Sequence, residues 1–146
     1  MMINENVPAE KVGPIVDAAG EWMTATSGAV TFTIEYTAFD VNEEPKNGEM
    51  RVWMKPNEHS GYIGYASWWY DEKKRSTRST IWIQDDLGPR LEYLVALHEI
   101  GHGLGLNHND SEKSIMHPSI MINVDQVPCM DRKSMCDLWG CDPVCE

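Results

Sequence analysis

The segment HEIGHGLGLNH, residues 98 to 108, constrains this chain more than any other feature of its sequence. His98 and His102 are four residues apart, so on a helix both side chains project from one face, one turn apart. Two imidazoles at that spacing can bind one tetrahedral zinc ion at about 2.0–2.1 Å each. The neighbouring Glu99 points in another direction, so it can reach a metal-bound water without being a ligand itself.

A third ligand at His108 requires the helix to end before it. On a continued helix, His108 would lie on another face and about 9 Å beyond His102, at 1.5 Å per residue. Gly105 lies between the two histidines, and glycine tolerates the left-handed backbone conformation that ends a helix. The chain can then turn back and present His108 to the metal. Three protein ligands leave one coordination position for water, which is typical of a catalytic zinc site.

The patterning around this motif predicts an α+β fold. Apolar residues at three- and four-residue spacing predict helices at about Ala9–Thr26, Pro89–Gly103 and Pro128–Trp139. Alternation of apolar and polar residues, together with aromatic-rich runs, predicts strands at 30–36, 50–54, 62–70 and 80–85. The charged stretch 71–78 is interpreted as an exposed loop. We therefore expect a mixed, twisted sheet of about five strands, two long helices of which one carries the zinc motif, and a C-terminal helix.

Length and charge narrow the class of protein further. The chain has 146 residues, which fits a single domain over 1–146 whose tail, from about residue 129, is rich in cysteine. It carries 23 acidic and 12 basic residues, and this excess argues against a nucleic acid or anionic lipid partner. No apolar run approaches the roughly 20 residues of a membrane span. The first ten residues lack the features of a signal peptide, so either the chain is not exported by that route or its signal has been removed.

Two motifs together resemble the matrixin branch of the metzincin zinc peptidases. The pattern HExxHxxGxxH at 98–108 is followed by SIMHP at 114–118, with Met116 eight residues after the third histidine. Residues 16–33 and 129–140 also resemble the first helix and strand and the last helix of a matrixin catalytic domain. The resemblance implies a zinc-dependent endopeptidase that binds one catalytic zinc. In it, His98, His102 and His108 would be the ligands, Glu99 the general base, and Met116 a hydrophobic floor under the imidazoles.

The same resemblance implies how a substrate binds. A protein or peptide would lie extended along a sheet edge at residues 64–69, where Gly64 and Ala66 are small enough for a backbone to approach. A hydrophobic pocket is expected near Val95 and the segment that contains His117, Pro118 and Ile120. The aromatic residues Trp68, Trp69 and Tyr70 fit two interpretations equally well, as walls of substrate subsites or as core packing.

Four cysteines, Cys129, Cys136, Cys141 and Cys145, lie in the last 18 residues. If 129–139 is helical, the first two are roughly 10 Å apart along the helix axis. A disulfide accepts a Cα separation of about 4.4–6.8 Å, so a helix here excludes the set Cys129–Cys136 with Cys141–Cys145. Two disulfide pairings remain open. A four-cysteine zinc site is less favoured because its usual CxxC spacing is missing, and free thiols fit an intracellular protein.

A different class of function stays open at this point. A domain of this kind could be a zinc-stabilised binding or structural module without catalysis. Glu99 favours the enzyme, because a structural site has no use for a base beside an open coordination position. The acidic pairs Asp85–Asp86 and Glu43–Glu44 could bind calcium, although solvated charge is the preferred interpretation. We expect a monomer, and the family and the cysteine tail favour an extracellular location.

Overall fold

The structure, a computed structural model, describes residues 1–145. In chain order the elements are β1 (Met2–Asn4), α1 (Ala9–Ala25), β2 (Glu35–Thr37), β3 (Met50–Lys55), β4 (Gly64–Tyr70), β5 (Ser76–Gln84), α2 (Pro89–Gly103) and α3 (Cys129–Trp139). The five strands form one mixed sheet in the order β2-β1-β3-β5-β4, in which β4 runs antiparallel to β5 and the other neighbouring pairs are parallel. This arrangement confirms the predicted α+β fold.

The core lies between one face of the sheet and the helices. Register pairs Val52 with Ile81 and Met54 with Ile83, and all four side chains are buried. Helix α2 packs against α1 as well as against β4 and β5. Because α2 is enclosed on these sides, most of its side chains are buried. The buried ones include His98, Glu99 and His102 of the histidine motif. The motif therefore sits at the edge of the core.

Helix α1 is fixed to α2 by Trp22. Its side chain is fully buried, and its indole N–H donates to the carbonyl oxygen of Leu97 at 2.8 Å. A buried indole N–H that lacked this acceptor would be costly, so the bond sets the position of α1 along α2. Pro14 lies inside α1, five residues after the helix begins at Ala9.

The strands of the structure differ from the sequence-based expectation in three places. β1 was not predicted, because three residues are too few for an alternating pattern to be seen. The alternation at 30–36 produces a strand only at Glu35–Thr37, since the residues before it have no strand beside them to complete a ladder. The stretch 71–78 is a loop only in its first part, because β5 begins at Ser76 and pairs with β4 there.

The C-terminal tail is held to α3 by two disulfides. Cys129 is bonded to Cys145 and Cys136 to Cys141, each with an S–S distance of 2.05 Å. This is one of the two pairings that the sequence leaves open, and Glu146, the last residue of the predicted tail, lies outside the described residues. No helix within 1–145 has both the length and the apolar character that crossing a membrane requires.

Candidate metal centre

Three histidines converge at the C-terminal end of α2. His98 and His102 project from the same face of the helix, and their ring centroids are 4.7 Å apart. His108 reaches them from the loop that follows, with its ring centroid 4.7 Å from that of His102 and 5.4 Å from that of His98. One nitrogen from each ring lies within 4.8 Å of the other two. Within residues 1–145 this is the only group of three potential metal ligands.

Gly105 makes the turn that brings His108 back. Its φ is +116°, in the region that favours glycine. A Cβ at this position would lie 2.8 Å from Leu138 Cδ2 and 3.0 Å from the carbonyl oxygen of Lys74, so space as well as conformation requires glycine. The N–H of Leu106 bonds the carbonyl of Gly101 at 3.0 Å, which satisfies a helix-end acceptor. The helix therefore ends at the position that the motif predicts.

The two helical histidines are held as neutral rings with one nitrogen free. The Nδ1–H of His98 donates to the Ile115 carbonyl at 2.7 Å, and that of His102 donates to the Leu106 carbonyl at 2.6 Å. Because a carbonyl only accepts, Nδ1 carries the proton in both rings and Nε2 keeps its lone pair. Burial lowers the pKa of His98, and it lowers the pKa of His102 to about 4.

These features fit a zinc ion. Zinc binds neutral imidazole nitrogen, and a histidine ligand usually donates its other ring N–H to a backbone carbonyl or carboxylate. His98 and His102 have that arrangement, while His108 is exposed to solvent at the open side of the group. The donor set of three imidazoles is that of a catalytic rather than a closed structural site. The residues that would hold the ion are therefore His98, His102 and His108.

Met116 lies beneath this end of the helix. Its side chain is 1% exposed, and a Cβ on Gly101 would lie only 2.5 Å from its sulfur. Gly101 stands between the two helical histidines in sequence, so the thioether packs against the backbone that carries them. The N–H of Asn109 donates to the Met116 carbonyl at 3.0 Å, which joins this turn to the residue after His108.

A buried carboxylate supports the same turn. Asp131 on α3 is 1% exposed and accepts the hydroxyl of Ser114 at 2.6 Å and the N–H of Ile115 at 2.8 Å. Burial raises the pKa of Asp131, and the two hydrogen bonds oppose that rise. The contact between Asp131 and Ser114 was not predicted from the sequence. The available signal was an acidic residue on the apolar side of a helix, one turn before the buried Met135.

Glu99 lines the same cleft as the three histidines but is not part of the group of potential metal ligands. Its side chain is 7% exposed, and burial raises its pKa to about 7. The strand β4 passes close to it at Gly64, where a Cβ would lie 3.1 Å from Cγ and 3.2 Å from Oε1 of Glu99. The same Cβ would lie 2.6 Å from Val95 Cγ1, so any side chain at Gly64 would displace α2 or the strand.

A cleft of about 690 Å³ opens over this group. It contains four of the predicted substrate-facing residues and leaves out two: Val95 is fully buried behind Gly64, and His117 does not line the cleft. Trp68 lines it, whereas Trp69 and Tyr70 do not. The cleft is lined by Gly61, Tyr62, Ile63, Gly64, Tyr65, Ala66, Trp68, Leu91, His98, Glu99, His102, Asn107, His108, Pro118, Ser119 and Ile120.

An α+β domain with three converging histidines and a methionine turn beneath them has the features of a metzincin-like domain. Comparison with known proteins gives the family. The family model for matrixin matches residues 15–140, which is most of the chain. This chain belongs to the matrixin family.

Individual relatives match shorter parts of the chain. It is 38% identical to macrophage metalloelastase of Oryctolagus cuniculus over 63 residues, which are 41% of this chain and 13% of that protein. It is 53% identical to matrix metalloproteinase-26 of Homo sapiens over 38 residues, 26% of this chain and 14% of that one. Each match thus spans a small part of the relative's length.

A solved structure shares the fold over nearly the whole chain. The crystal structure of metalloproteinase-II from Bacteroides fragilis superposes with a TM-score of 0.61. The match covers 94% of this chain and 51% of that one, at 15% sequence identity. At this identity the comparison supports the metzincin-like fold.

Proposed function

We propose that this protein is a zinc-dependent endopeptidase that hydrolyses peptide bonds in proteins. One observation carries the proposal. The buried carboxyl of Glu99 lines the same cleft as His98, His102 and His108. A base beside three neutral imidazoles, at a surface that a polypeptide can reach, is the set of groups that metal-assisted hydrolysis requires.

Each residue of the group has its own task. His98 and His102 hold the metal through Nε2, because their Nδ1 atoms are engaged by backbone carbonyls. His108 completes the ligand set from the loop. When bound, the zinc supplies Lewis acidity that makes water a nucleophile near neutral pH and polarises a carbonyl. Glu99 accepts the proton of the attacking water and delivers it to the leaving amine. Burial raises the pKa of Glu99 in the metal-free site, and the charge of a bound zinc would lower it again, towards that of a base that is ionised at neutral pH.

The substrate binds as an extended strand along β4. β4 is at the edge of the sheet, so one side of its backbone is free to pair with another chain. Gly64 and Ala66 line the cleft and bring little side-chain bulk to that edge. Pro118 and Ile120 line the cleft as well, beside Leu91 from α2, and they form an apolar pocket for a substrate side chain. Protein and peptide substrates are therefore favoured.

The cysteine tail bears on the working environment of the enzyme. Two disulfides pair all four cysteines of the chain. Disulfides persist in oxidising compartments and are rare in reducing ones. We therefore propose that the enzyme is extracellular, and we keep the expectation from the sequence that it is a monomer.

The decisive experiment compares the wild-type protein with Glu99→Ala on casein or gelatin. We expect the variant to keep one zinc per chain and to lose cleavage activity by about 10²–10⁴-fold, the range of a general base. Glu112→Ala is the matched control, because Glu112 is exposed and outside the cleft. Equal cleavage by wild type and Glu99→Ala would remove Glu99 from the mechanism. A folded wild type that holds zinc and cleaves neither protein would support the non-catalytic module instead.

A further inference from the structure

The indole of Trp68 lies flat against a ring of the metal centre. The ring centroids of Trp68 and His102 are 5.2 Å apart, and the ring planes are inclined by 12°. We propose that Trp68 is a positioning residue for His102, and that this stack strengthens zinc binding. The proposal rests on the metal site of the proposed function. It states that Trp68, which is not a ligand, contributes to the zinc affinity.

The stack supplies a restraint that the hydrogen bond of His102 does not. The bond from Nδ1 to the Leu106 carbonyl fixes one point of the ring. It leaves the ring free to tilt about the line between donor and acceptor. A flat surface against one face of the imidazole prevents that tilt, and stacked rings also attract each other by about 0.5–1.5 kcal/mol. The two contacts together keep Nε2 directed at the other histidines.

The other two ligands are held differently. The His98 ring is 3% exposed and has the edge of His102 against it at an interplanar angle of 84°. His108 is exposed. Of the three rings, only that of His102 lies parallel to an indole. His102 is also the ring closest to both of the others, at 4.7 Å from each, so tilting it would disturb the whole group.

Trp68 is itself well supported. It belongs to β4, where it lies opposite Ser79 of β5 in the antiparallel ladder. Its side chain is half-buried and lines the cleft, so the indole forms a wall beside the metal centre. Because the strand fixes the backbone of Trp68, the indole acts as a fixed surface for His102. Residues that orient a metal ligand through a hydrogen bond typically change metal affinity by 10–100-fold when they are replaced, and we expect the stack to act at the lower end of that range.

The chain offers a matched control at the next position. Trp69 points to the other side of the strand, with Arg78 4.6 Å above its ring, and it does not line the cleft. Loss of Trp69 removes a ring of the same size from the same strand. It leaves His102 untouched.

The experiment measures zinc affinity by competition with a chromophoric chelator, without reference to cleavage. Trp68→Leu should bind zinc at least tenfold more weakly than wild type, while Trp68→Phe recovers most of the loss because it keeps a flat ring. Trp69→Leu should bind zinc like wild type. Urea unfolding of the metal-free proteins checks that each variant is folded. If Trp68→Leu does not fold, Trp68→Met takes its place, since methionine fills irregular space without a ring.

Two results would overturn the proposal. One is wild-type zinc affinity in a folded Trp68→Leu or Trp68→Met. The other is an equal loss in Trp69→Leu, which would trace the effect to the strand. Failure of the proposed function is distinguishable, because a wild-type protein that binds zinc and cleaves nothing leaves the affinity comparison intact. A wild type that binds no zinc would overturn both.

Discussion

The carboxylate of Asp131 accepts the backbone N–H of Ile115 at 2.8 Å, and the carbonyl of Ile115 accepts the Nδ1–H of His98 at 2.7 Å. A residue of α3 thus orients a proposed metal ligand on α2 through a single peptide residue. Ser114, which donates its hydroxyl to the same carboxylate, fixes the turn from the other side. The last helix is therefore part of the support of the metal centre.

Replacing this carboxylate tests that support. In Asp131→Asn, the amide oxygen can still accept the Ile115 N–H, but the amide NH2 then faces Ser114. The buried Ser114 hydroxyl proton loses its acceptor, and the charge-assisted hydrogen bonds become neutral ones. We expect a loss of about 2–3 kcal/mol in the free energy of unfolding of the metal-free protein, measured in urea. Asp137→Asn, on the exposed side of the same helix, should change it by less than about 0.5 kcal/mol. Equal stability of the two variants would show that Asp131 does not hold the turn.

Glu92 gives the stability a pH dependence. Its side chain is 1% exposed, and within residues 1–145 its Oε2 has no hydrogen-bond partner. Burial raises its pKa from 4.5 to about 7, against the opposing charge of Lys11. Between these two values the native protein keeps a proton that the unfolded chain releases. The contribution of Glu92 to the free energy of unfolding therefore falls as pH rises through this window, and it is constant above it.

Glu92→Gln should remove that loss. The variant resembles the protonated carboxyl, so at pH 8 we expect it to be more stable than wild type by about 1–3 kcal/mol. At pH 4 the two proteins should be nearly equal. Urea unfolding at both pH values measures the difference, with the exposed Glu112→Gln as control. A difference between Glu92→Gln and wild type that is the same at both pH values would contradict a raised pKa.

Gly105 tests the turn that carries His108. Alanine at φ +116° is strained, and its Cβ would contact Leu138 and the Lys74 backbone. We expect Gly105→Ala to lower the free energy of unfolding by about 1–3 kcal/mol and to weaken zinc binding, because His108 would be displaced. Gly20→Ala is the control, since Gly20 lies within α1 with open space around it and should gain about 0.5–1 kcal/mol. Wild-type zinc affinity in a folded Gly105→Ala would show that the turn tolerates a side chain.

Features with a local cause were predictable from the sequence. The limits of α2, Pro89 and Gly103, follow from a proline suited to the first turn and from the apolar face of the helix, and they agree with the structure. The stop at Gly140 is of the same kind, with the residue in the left-handed conformation at φ 73°. The four-residue offset of His98 and His102 follows from helix geometry, and the placement of His108 follows from the turn at Gly105.

Features that depend on a distant partner were not predictable. Strand β1 exists because β2 and β3 flank it, and nothing in its three residues indicates this. The contacts of Asp131 with Ser114 and of Trp68 with His102 join positions 17 and 34 residues apart, so no local spacing reveals them. The choice between the two open disulfide pairings also depends on tertiary structure. It depends on where the chain after Gly140 returns along α3.

The most direct test of the central claim is a titration of casein cleavage with zinc. The protein is first treated with a chelator, and zinc is then returned in measured amounts while cleavage and bound metal are followed together. We predict that cleavage vanishes on chelation, rises in proportion to bound zinc and reaches its plateau at one ion per chain. Cleavage that survives complete removal of the metal, or a fully zinc-loaded protein that cleaves nothing, would contradict it.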